Sequence, residues 1–108
     1  MSVDYSAVTV YGFEIAEFKN GITADDIEVL IEEYYGCPIC FTCDNEYLDF
    51  DDQYWYFGIK VPSGFTLEEL TEYIEKYKED LYNAIDKERH KFGVWAPTPR
   101  FHSIVRIH

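Results

Sequence analysis

The chain is almost without positive charge before residue 60. Residues 1–59 hold one base, Lys19, against 13 acids, while residues 60–108 hold 8 of each. The net charge of −12 therefore arises in the N-terminal half. Such a chain repels free phosphates, nucleic-acid backbones and anionic membranes, and attracts basic partners. No apolar run approaches the ~18 residues that cross a bilayer. The opening MSVDYSAVTVYGFEI has no basic segment and reads as strand, not signal peptide. Only three cysteines occur, an odd number that does not suit a disulfide scaffold and points to free thiols in a reducing cytoplasmic setting. There is no Gly-rich phosphate loop, and no local Ser-His-Asp or Cys-His arrangement.

Aromatic residues, by contrast, make up 19% of the 108 residues, and 47% are hydrophobic. That composition excludes disorder and suits one globular domain. Residues 5–15 are β-branched and aromatic, with Gly12 inside them marking a bulge or a close backbone approach. Thr23 caps a helix whose apolar face is Ile27, Leu30, Ile31 and Tyr34, ended by Gly36. Residues 39–43 form a short strand, prolonged toward 48. In the strand over 54–61, Trp55, Phe57, Ile59 and Val61 share one face, and Tyr54, Tyr56, Gly58 and Lys60 the other. Thr66 with Glu69 forms a capping box for a second helix, apolar at Leu67, Leu70, Ile74, Tyr77, Leu81 and Ile85 and running to about residue 90. Pro97 and Pro99 impose a loop, and residues 101–107 form a last strand.

The order β-α-β-β-α-β resembles the ferredoxin-like α+β fold, a four-stranded antiparallel sheet with two helices on one face. That resemblance is topological and implies no activity. The uncovered face would carry Tyr54 and Tyr56 with one of two sets from the first strand. These are Val8 with Val10, or Thr9 with Tyr11, Phe13 and Ile15.

The densest local feature is DNEYLDFDDQYWYF, residues 44–57. Asp44, Glu46, Asp49, Asp51 and Asp52 repel one another, and Tyr47, Tyr54 and Tyr56 are interspersed as apolar anchors. A Lys- and Arg-rich partner would relieve that repulsion. The stretch has no Gly for a calcium loop and misses the EF-hand spacing. Glu32 and Glu33 oppose the dipole at the first helix's C-terminal end, which favours a use in recognition.

Cys37, Cys40 and Cys43 form C-P-I-C-x-x-C, but strand geometry sends Cys40 to the face opposite the other two. The pattern would bind metal only as a knuckle completed by His90, His102 or His108. His102, Arg106 and His108 fall on one side of the last strand, a polar sheet face.

The expectation is thus a non-enzymatic acidic binding protein, with no cofactor or metal, docking on a basic protein surface. That surface would be a nucleic-acid-binding groove which the chain occludes, contacting no nucleic acid or membrane itself. In size and charge it is similar, as a class only, to small inhibitors from phages and mobile elements. A metal or thiol domain on the three cysteines is the alternative. A homodimer through the aromatic sheet face is a third reading.

Overall fold

The computed structural model describes residues 5–35, 38–44 and 54–107, with side chains described between residues 8 and 104 of those stretches. In chain order the elements are β1 (Tyr5–Phe18), α1 (Ala24–Glu33), β2 (Ile39–Cys43), β3 (Trp55–Val61), α2 (Leu67–Glu88), a 3-10 turn (Arg89–Lys91), β4 (Phe92–Trp95) and β5 (Arg100–Ile107).

Both helices start where side chains satisfy their free N–H groups. Thr23 and Asp26 form a reciprocal capping box on α1, and Thr66 and Glu69 form one on α2. The Thr23 backbone and hydroxyl donate to Asp26, which holds its carboxyl below the usual carboxylate range. Each helix then buries one stripe, Ile27 and Leu30 in α1, and Ile74, Leu81 and Ile85 in α2. Each such side chain contributes about 1.5–3 kcal/mol on burial.

The sheet order is β2-β3-β1-β4, with β5 also on β1, and every pairing is antiparallel. β1 lies alongside β3 over residues 9–15, and its other edge is shared. Residues 5–12 pair with β5, and residues 15–18 with β4. The fold is thus broadly ferredoxin-like, with five strands instead of the expected four. Pro97 and Pro99 lack the N–H that a ladder requires, so the last strand position is divided. The short β4, Phe92–Trp95, is not expected from the sequence, which marks a loop over residues 95–99 and no element over 92–94. The register slips by two residues across the break, where Ala96 N–H still reaches Glu14 O at 3.0 Å.

The main core joins Phe13 and Ile15 of β1, Phe41 and Cys43 of β2, and Trp55, Phe57 and Ile59 of β3 to both helices. This settles the face of β1, since Tyr11, Phe13 and Ile15 point to the helices. Val8 and Val10 lie on the open face, with Cys40, Tyr56 and Ile104. Gly12 and Gly58 face each other at the centre of that side. A Cβ on Gly12 would overlap the Phe57 carbonyl oxygen and the Gly58 Cα, so the close-approach reading of Gly12 holds.

Candidate functional site

Charge separates by layer. α1 carries five acids and no base, and α2 eight acids against three bases, a net of about ten negative charges for the helical layer. The five strands hold two acids, Glu14 and Glu17, against three bases, Lys60, Arg100 and Arg106. The division by sequence halves is therefore corrected. α2 belongs to the balanced half but is as acidic as α1, because the bases that balance it, Lys60, Arg89, Lys91, Arg100 and Arg106, lie outside it.

Asp25, Glu28, Glu32, Glu68, Glu72, Glu79 and Asp80 are exposed, and none has a side-chain partner among the described residues. Glu68, Glu72, Glu75 and Glu79 fall at helical spacing on one face of α2. Apolar groups stand beside these acids, with Leu67 81%, Tyr35 85% and Val29 55% exposed.

The expected site residues divide. Glu32 is exposed and free of partners among the described residues. Glu33 is engaged within the fold, accepting from Lys87 Nζ at 2.5 Å, which raises the Lys87 pKa. Asp44 closes the root of its hairpin. Its Oδ1 accepts from Tyr54 N–H at 3.2 Å, and its own N–H donates to Tyr54 O at 3.2 Å. Tyr54 is exposed. Glu46, Tyr47, Asp49, Asp51 and Asp52 lie outside the described residues, as do Cys37, Gly36 and His108. Cys40 and Cys43 are buried on opposite sides of β2, as the alternation of a strand requires. Among the described residues no group of three or more His, Cys, Asp or Glu is placed to hold a metal ion, and no helix is long and apolar enough to cross a membrane.

A buried polar link near the C-terminal ends of the two helices escaped the sequence reading. Glu88 is 2% exposed. It accepts from Lys91 Nζ at 2.7 Å and, more weakly, from Tyr34 Oη at 3.4 Å. Burial first, then the carboxylates of Glu88 and Glu33, push the Tyr34 phenol well above its ordinary value. The available signal was the 3.6-residue stripe of α2, whose next step after Leu81 and Ile85 falls on Glu88.

The open sheet face has its own constellation. Tyr56 is paired directly with Glu14, and its ring meets that of His102 at 5.1 Å between centroids. Those two residues sit on strands either side of β1, opposite Glu14 and Val10. In a flat sheet those positions are about 13 Å apart along the strand and about 10 Å across. The two rings meet by leaning toward each other over the facing glycines, which carry no side chains to keep them apart. Burial first, then Glu14, Asp44 and Tyr54, raise the Tyr56 pKa. His102 Nε2 and Thr42 Oγ1 are buried on this side without hydrogen-bond partners. Each costs about 1–3 kcal/mol of desolvation. His102 was expected on an exposed polar face, and is half-buried instead.

No protein-family model, no curated protein and no solved structure matches this chain. Function must therefore be argued from the chemistry of these two faces.

Proposed function

We propose that this is a non-enzymatic binding protein that docks its acidic helical layer on a basic surface of a partner protein. The observation that carries the reading is the concentration of about ten net negative charges on two helices beside exposed Leu67, Tyr35 and Val29. Uncompensated acids on one layer repel each other, and a Lys- and Arg-rich partner offsets that repulsion.

The finer proposal is that the partner surface is a nucleic-acid-binding groove. α2 spans about 33 Å at 1.5 Å per residue. The five net charges of α2 over that length are one per ~6.6 Å, about half the density of one DNA strand, and α1 adds five more. The layer thus offers a basic groove a row of negative charge, sparser than a nucleic-acid backbone. The hairpin acids Asp49, Asp51 and Asp52 extend the same proposal, as a second contact. By analogy of class, an inhibitor of the phage type would work in this way.

The test is capture of partners from a lysate on immobilised chain at low salt. The expected partners are nucleic-acid-binding proteins, released by duplex DNA in competition. Their affinity should fall about tenfold or more when NaCl rises from ~50 to ~200 mM. Changing Glu28, Glu32, Glu72 and Glu79 together to Lys should abolish capture while the melting curve persists. A separate Asp49, Asp51, Asp52 to Lys variant measures the share of the hairpin. Undiminished capture by both variants together would refute the reading.

A further inference from the structure

The division of the last strand leaves a recess on the open face. Loop residues 96–99 stand opposite β1 between its pairings with β4 and β5; Ala96 N–H still bonds Glu14 O, and the regular ladder breaks between there and the Gly12–Arg100 pair. The recess is about 230 Å³ and is lined by Glu14, Ala96, Pro97, Thr98, Arg100 and His102. At about 30 Å³ per water that is room for roughly eight non-hydrogen atoms.

Its polar groups are of opposite sign and do not meet. Arg100 pairs across the strands with Gly12, and Glu14 is two residues further along β1 on the same face. Such diagonal neighbours stand about 7–8 Å apart at Cα, within reach of two long side chains. Even so, the Glu14 carboxylate and the Arg100 guanidinium form no ion pair. Arg100 is exposed and Glu14 half-buried, so both heads remain available to the same recess. His102 forms a wall packed against Tyr56, and Ala96 and Pro97 give an apolar side.

We propose that this recess binds a small zwitterion of the α-amino-acid type. Its ammonium is held by the Glu14 carboxylate, its carboxylate by the two-pronged guanidinium of Arg100, and its short aliphatic side chain by Ala96 and Pro97. The two local charges decide between ligand classes. A simple anion is repelled by Glu14 as well as by the net charge of −12. A simple cation, although the net charge attracts it, is repelled by Arg100 and leaves that guanidinium without a partner. A neutral molecule carrying both charges meets neither penalty. The site is on the sheet side, away from the helical acids, so it is independent of the docking proposal.

The probe is L-valine, which has eight non-hydrogen atoms, titrated into the full chain and followed by amide chemical shifts. Saturable shifts are expected at Glu14, Ala96, Thr98, Arg100 and His102. Isobutylamine and 3-methylbutanoate each keep one charge of the probe, and each should bind about tenfold or more weakly. Glu14→Gln and Arg100→Gln should each weaken L-valine by a similar factor, with unchanged melting curves confirming the fold. Arg100→Lys should recover part of the loss, since it keeps the charge without the fork. No saturable shift at about 50 mM probe, some 50 times a millimolar dissociation constant, would overturn the proposal. Equal binding of either half-probe would do the same.

Discussion

A single methyl group at position 12 has nowhere to go. Gly12 and Gly58 oppose each other across β1 and β3, and a Cβ on either would enter the backbone of the other strand. Gly12→Ala must therefore part the strands. Overpacking of this kind costs about 1–3 kcal/mol, and the loss should appear as a lowered Tm in a calorimetric scan. An unchanged Tm would mean that the two backbones do not lie so close. Gly12 was legible because a glycine within an otherwise β-branched and aromatic run has few other reasons to be there. Glu88 was less so, because a Glu near a helix end reads as solvated; the stripe of α2 points at it, and the packing of Tyr34 and Lys91 around it is what shows its burial. The Glu14 and Arg100 pair was hidden. Nothing in the order of residues tells which strands become neighbours, and so which charges line one recess.

The elements themselves were largely written in local chemistry. Both capping boxes, the apolar stripes of α1 and α2, and the faces of β3 follow from spacing alone. The missing element was β4, four residues with a Gly among them, too short to show any period. It forms because β1, at 14 residues, outreaches β5 and leaves an edge to pair. Among the acids near the end of α1, Glu33 is accounted for by Lys87 of α2, whereas Glu32 remains open to a partner. The Tyr34 link makes the helix–helix contact sensitive to alkali. Folding raises the Tyr34 pKa, so the unfolded chain releases this proton near pH 10 while the folded chain retains it. Its contribution is complete below pH ~10 and declines as pH rises through the higher folded value. Tm should therefore fall between pH ~9.5 and ~11, and less steeply in Tyr34→Phe, where Tyr56 and Lys87, whose pKa values folding also raises, supply the remaining slope in the same direction. Equal slopes in the two proteins would show that the phenol does not titrate differently on folding.

For the molecule as a whole, the arrangement of charge matters more than its sum. Reading charge by halves of the sequence put the acidity in the N-terminal half, and the fold puts it on a layer. The difference could not be read from composition, since it depends on the bases of the second half lying in strands and turns. A layer of like charges repels itself within a Debye length of ~10 Å at 0.1 M salt and ~3 Å at 1 M. Raising NaCl from about 0.05 to 0.5 M should therefore raise the Tm of the isolated chain. A Tm that falls with NaCl would mean that the ion pairs of Lys78, Lys87, Arg89 and Lys91 outweigh the repulsion.

The place of β1 in the sheet also governs when the protein can exist at all. This first strand is bordered by β3 on one side and by β4 and β5 on the other, and residues 5–12 meet their mates only at 100–107. During synthesis, residues 5–12 leave the ribosome well before residues 100–107 and must wait for them before their hydrogen bonds are complete. Until then a long, apolar ribbon stands with an open border, the kind of surface that nascent chains entrust to chaperones. Closure over so great a separation along the chain also makes the final step slow.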